Sequence, residues 1–150
     1  MQSATAVQLG GTDTAADTVI LKSTSGVTTI TEFEAGAGTD VINIDDLTAE
    51  TAATTLTGTL TLAAGKVYYV AGAFNDDMSD VDADVLTDIN GAATITEADV
   101  IAYIVAVDTT TDNMALFKYD YAAAVSIVAG ELTLLAKSDG EILAADFAFA

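Results

Sequence analysis

Short β-branched runs broken by glycine turns are the feature that most narrows the fold. Asp17–Leu21 (DTVIL), Val27–Phe33 (VTTITEF) and Asp40–Ile44 (DVINI) follow one another, with Ser25-Gly26 and then Ala35-Gly36-Ala37-Gly38 between them. Runs of this length and composition are strands, and the glycines let the chain turn sharply between them. A spacing of about 10 to 13 residues predicts a coil of short strands.

The later sequence is also strand-rich. Leu47–Thr55 is Thr/Ala-rich and fits one or two helical turns. In Leu56–Leu62 leucine and glycine alternate with threonine, the pattern of a half-buried strand. Ala64-Gly65 then predicts a turn, with Lys66–Ala71 (KVYYVA) as the hairpin partner. Around residues 79–90 the period changes. Met78, Val81, Val85, Leu86 and Ile89 form a helical stripe, Ser79 and Asp82 suit its start, and Gly91 suits a left-handed end. Thr96–Asp99 reads as a second cap-like turn. Tyr103–Val107, Met114–Tyr119 and Glu131–Lys137 read as strands, Asp139-Gly140 as a turn, and Ile142–Ala145 as a helical turn before the closing Asp146–Ala150. The expected fold is mainly β: a short parallel β-roll-like N-terminal part continuing into an antiparallel β-rich body with one short helix at about 79–90. No linker interrupts the chain. We therefore expect a single domain over 1–150, β-roll-like over 1–46 and β-rich over 47–150.

Charge and missing residue types limit the chemistry. There are 23 acids against four lysines, with no arginine or histidine, for a net charge of −19. A nucleic-acid binder that neutralises phosphates is excluded, and so is electrostatic docking on an anionic membrane. Without histidine or cysteine there is no imidazole base, thiol nucleophile or His/Cys zinc site. The remaining metal chemistry uses hard cations and oxygen ligands. No apolar window of about 18 residues exists, so no membrane span is expected. MQSATAVQLGG has no basic region followed by an apolar run, so a cleavable secretory signal is not expected either. No nucleophile motif or tryptophan sugar platform accompanies the many carboxylates, and an enzyme is not expected.

Three segments carry candidate function. Ala35–Asn43 (AGAGTDVIN) matches the calcium nonapeptide G-G-x-G-x-D-x-U-x except at Ala35. In that pattern glycines aim carbonyl oxygens inward, the aspartate (Asp40) adds charge, and the apolar residue (Ile42) fills the coil. One repeat supplies half a site. Gly10–Asp17 is a degenerate second half, and a plain glycine turn between strands is the other reading. The second segment is the acidic cluster Asn75, Asp76, Asp77, Asp80, Asp82, Asp84, Asp88 and Asn90. It has no EF-hand spacing and equally suits a solvated helix face. The third is the C-terminus, where Asp146 precedes FAFA, either a last strand or an address for a transporter.

Residues 17–44 resemble the terminal β-roll segment of RTX-type bacterial calcium-binding proteins, and the later chain (Asp84–Gly91, YIVAV, MALFKY, ELTLLAKSDG and the closing ILAADFAF) resembles the C-terminal regions of large secreted RTX and surface-layer proteins. This chain departs from the family pattern at Ala35, and at Thr28 and Glu32 where aspartate is frequent. The resemblance implies export by an ABC-type (type I) secretion machinery that reads an uncleaved C-terminal signal, here Asp146, Phe147 and Phe149. It implies a secreted or cell-surface location and calcium-assisted folding outside the cell with one or a few ions. Asp40, Asp17 and Glu34 would be ligands with the carbonyls of Gly36 and Gly38. Two other classes stay open: a self-assembling structural subunit of a surface layer or filament, and an auxiliary domain of a larger secreted hydrolase.

Overall fold

A computed structural model describes residues 5–9, 15–21, 26–34, 40–44, 54–72, 83–96, 100–111, 113–120, 126–139, 143 and 146–148. The first four strands are β1 (Thr5–Gln8), β2 (Thr18–Leu21), β3 (Thr28–Thr31) and β4 (Val41–Ile44). They alternate between two layers. β1 runs parallel to β3, with Thr5 opposite Thr28, and β2 runs parallel to β4, with Thr18 opposite Val41. Each pair of consecutive strands is one rung of a parallel β-roll. Alternation selects the inner face: Val19, Leu21, Ile42 and Ile44 are buried, while Thr18 and Ile20 are exposed.

A second roll follows. β5 (Thr54–Thr55), β7 (Val67–Gly72) and β9 (Ile101–Asp108) are parallel neighbours, and β6 (Gly58–Thr61) pairs in parallel with β8 (Ala93–Thr96) in a separate layer. The expected hairpin of Leu56–Leu62 with Lys66–Ala71 does not form. β7 is the reason. Val67, Tyr68 and Val70 are buried, so both faces of this strand need covering. β6 therefore crosses over β7 into the next layer. Gly65, at φ 70°, redirects the chain there. The Tyr68 hydroxyl holds the crossing: it accepts the Ala63 N–H at 2.8 Å and donates to the Thr61 carbonyl at 3.4 Å.

The helix, α1 (Ala83–Ala92), links β7 to β8 and buries Val85 and Ile89 from the expected stripe. Met78, Ser79, Val81 and Asp82 lie outside the described residues. Gly91 is helical rather than left-handed, because α1 passes straight into β8 with no turn between them.

Two last strands and a connector join the rolls. β10 (Met114–Asp120) is antiparallel to both β9 and β11 (Leu132–Ser138). β11 lies parallel to β3, and β12 (Phe147–Ala148) lies parallel to β4. The pair β11/β12 is thus a third rung stacked on β3/β4. The large sheet has seven strands in the order β1-β3-β11-β10-β9-β7-β5. The protein is mainly β with one described α-helix, and among the described residues antiparallel pairing is confined to the neighbours of β10.

Each face of this sheet carries its own core. Ala102, Ile104 and Ala106 of β9 pack with Leu62, Val85, Ile89 and Ile95. Tyr103, Val105 and Val107 of the same strand pack with Ile30, Ile42 and Ile44. The layer β2/β4/β12 covers one face; β6/β8 and α1 cover the other. Handedness accounts for this. The rolls step inward from opposite edges of the sheet, and crossovers of one hand stepping in opposite directions must lie on opposite faces.

Ile104, fully buried, tests the core. Ile104→Ala should lower unfolding stability by about 2–5 kcal/mol in a urea titration, whereas Ile101→Ala should stay within about 0.5 kcal/mol; Ile101 is 44% exposed.

Candidate functional site

The candidate metal corner is built around Asp40, one residue before β4. The register of β2 and β4 sets Asp17 beside it. The Asp40 carboxylate is 3% exposed. Its Oδ1 accepts the Asp17 N–H at 3.0 Å, and its Oδ2 accepts the Glu34 N–H at 2.9 Å. Two backbone bonds close the corner: Asp40 N–H donates to the Glu34 carbonyl at 3.2 Å, and Val41 N–H donates to the Asp17 carbonyl at 2.8 Å. Three of the expected ligand positions therefore meet. Gly36 and Gly38 lie outside the described residues.

The bonds define what Asp40 does in the fold. It satisfies two turn amides that would otherwise be buried without a partner. Each carboxylate oxygen accepts one backbone hydrogen bond, and a carboxylate oxygen has capacity for a second interaction, such as a hard cation. Asp17 and Glu34 are half-buried at the same corner. Among the described residues no three acidic side chains converge tightly enough to form a metal cluster on their own. Any ion here would need carbonyl oxygens as well.

Three more carboxylates are buried at strand ends: Asp108, Glu131 and Asp146. Glu131 precedes β11; its Oε2 accepts the Val128 N–H at 3.0 Å while its own N–H donates to the Val128 carbonyl at 2.9 Å. Asp146 precedes β12 and repeats the pattern with Leu143, at 2.8 Å and 3.0 Å. Asp108 ends β9. Its Oδ1 accepts the Thr110 N–H at 2.9 Å, and its Oδ2 accepts the Thr111 hydroxyl. Burial pushes the Asp108 pKa up, but hydrogen bonds from Thr111 and Thr110 outweigh it and hold the carboxyl below the ordinary aspartate value.

Two of the residues expected to form an export signal belong to the described fold. Asp146 is 1% exposed, and β12 sets Phe147 opposite Ile42. Phe149 lies outside the described residues. Where it is described, the acidic segment takes part in anchoring α1. Asp84 is exposed and Asp88 half-buried. The Asn90 amide donates to the Ile127 carbonyl at 2.8 Å and accepts the Ile127 N–H at 3.1 Å, which ties α1 to the approach to β11. Asn75, Asp76, Asp77, Asp80 and Asp82 lie outside the described residues. Sequence reading missed Asp108 and Glu131. For Asp108 a signal exists, since aspartate followed by threonines at the end of an apolar run marks a side-chain-capped turn.

Asp108 generates a pH prediction. Its folded pKa is depressed, so its stabilisation is complete above the unfolded value near pH 4 and is lost as pH falls through the lower folded value. Asp108→Asn should cost about 1–3 kcal/mol at pH 7, and the gap from the parent protein should narrow below about pH 4 in paired urea titrations.

Among the described residues no helix is long and apolar enough to cross a membrane. No family model, no curated protein and no solved structure matches the chain.

Proposed function

We propose that the chain is a non-enzymatic bacterial domain that is secreted through an ABC-type machinery and folds outside the cell with the help of calcium. The transporter reads Asp146, Phe147 and Phe149 at the C-terminus. Calcium binds at Asp40, Asp17 and Glu34, with the carbonyls of Gly36 and Gly38.

One observation carries this reading: the C-terminal segment belongs to the third rung of the same roll whose second rung contains β4, the strand that Asp40 precedes. β12 pairs with β4, and Asp146 is buried beside it. An address built into the fold is legible only in an unfolded chain. Export must then precede folding, and a folding trigger found only outside the cell keeps the two in order. Calcium fits that role, because extracellular modules bind it at about 10⁻⁴–10⁻³ M. A net charge of −19 disfavours compaction until cations bind. An ion present at ten times its dissociation constant adds about 1.4 kcal/mol to stability.

A calcium titration followed by circular dichroism and calorimetry tests the metal. Tm should rise with calcium, and Asp40→Asn should lose most of that rise. Equal stability in calcium and in chelator would remove the metal from the account. Export is tested separately in culture supernatants. Deleting residues 146–150 should abolish secretion, while the destabilised Ile104→Ala chain should still leave the cell. Undiminished secretion of the truncated chain would refute the address.

A further inference from the structure

Among the described residues, one end of the roll is open in both of its layers. β1 is the outermost strand of the seven-stranded sheet, and β2 is the outermost strand of the three-stranded sheet. They form a single rung, so their free edges lie side by side. Ladder parity identifies the exposed peptide groups. Leu9 N–H bonds the Thr31 carbonyl, with Gln8 opposite Thr31. The peptide groups of Val7 and Leu9 therefore serve β3, and those of Ala6 and Gln8 point outward. In the other layer Val41 N–H bonds the Asp17 carbonyl, with Thr18 opposite Val41, which leaves Thr18 and Ile20 pointing outward.

Exposed edges are normally guarded by charge, proline, bulges or short length. β5 and β12 are short where described, at two residues each. β6 also has an outer edge, but the sheet beneath it ends in β5, and among the described residues that end has no second edge of equal length. β1 (TAVQ) and β2 (TVIL) have four residues each and carry no charge and no proline. Ile20 adds an apolar side chain that is 57% exposed. Glu32, next to β1, is tied by the Gln8 amide at 3.0 Å.

We propose that this end binds a second copy of itself about a two-fold axis, with β1 antiparallel to its counterpart and β2 antiparallel to its counterpart. The complement of two edges at this layer spacing is another roll end. A two-fold axis normal to the layers reverses strand direction and keeps each layer opposite its own kind, so both edges pair. Head-to-tail stacking on β5 would pair only one. Charge favours the same surface: two chains at −19 repel, and these strands bear none of the 23 acids. Rung stacking without chain continuity already occurs within the molecule, since β11/β12 dock on β3/β4 although β5 to β10 intervene in the sequence.

The inference does not rest on the secretion reading. Mass is measured by sedimentation equilibrium in excess calcium, on protein shown to be folded by circular dichroism. The parent chain should have twice its 15.2 kDa mass. Ala6→Pro, which removes an outward N–H, and Ile20→Lys should each halve it with an unchanged spectrum; Ile101→Lys should stay dimeric. Amide exchange on the parent chain gives a readout free of substitutions: Ala6, Gln8, Thr18 and Ile20 should slow as protein concentration rises. A folded parent chain that stays monomeric at about 0.1 mM, with concentration-independent exchange, would overturn the proposal. So would a dimer unaffected by both edge variants, or open-ended assemblies in place of a closed pair.

Discussion

β9 and β10 have no wet face along most of their length, and the rest of the architecture answers that constraint. Residues 102–108 and 114–117 are all buried. A strand pair of this kind must lie inside a sheet and be covered on both sides. The chain meets both demands with the same device used twice. Each roll adds strands to the central sheet in the direction of β9 and β10 and lays its alternate strands over one face. Right-handed crossovers then send the two covering layers to opposite faces. Every fully buried large side chain adds about 1.5–3 kcal/mol of transfer free energy, and five of the eleven largest such side chains (Tyr103, Ile104, Met114, Phe117 and Tyr119) lie on these two strands.

The buried acids follow from the same geometry. A roll turns at the end of every strand, and each turn leaves backbone amides that no ladder can satisfy. In a chain this rich in aspartate and glutamate, carboxylates accept them. Asp40, Asp108, Glu131 and Asp146 all sit at strand ends and accept turn N–H groups. Some of the negative charge is therefore structural. Protonating Asp108, whose folded pKa is depressed, weakens the turn it holds, and this couples the fold to acid beyond simple charge repulsion.

What the sequence makes legible is what is local. The first roll is readable because strand, glycine turn and strand repeat at short range, and β2, β3 and β4 fall inside the expected runs. Val85 and Ile89 mark the helix by their spacing. Pairing is harder. The alternation in Leu56–Leu62 suits a hairpin and a roll equally, and the choice is made by β7, whose need for cover on both faces appears only in three dimensions. Gly91 looks like a helix terminator, but β8 follows the helix without a turn, so no left-handed residue is needed. The Asp40 corner is legible through its nonapeptide. Glu131 is not, because its partner is a neighbouring backbone amide with no sequence signature.

The order of rungs in space, β1/β2, β3/β4, β11/β12, differs from their order along the chain, and this bears on how the proposed functions fit together. Rung two stays open on one side until the last strands arrive, with β3 and β4 as temporary edges. Asp17, Glu34 and Asp40 belong to segments continuous in sequence, so an ion bound there would act on rungs one and two before β12 exists as a strand. It would fix the position of β4, against which Phe147 must align with Ile42. β12, two residues long where described, gains its register from β4. On the proposed reading, metal binding comes early and burial of the address comes last. On that reading, an address carried by Asp146 and Phe147 is covered only after export.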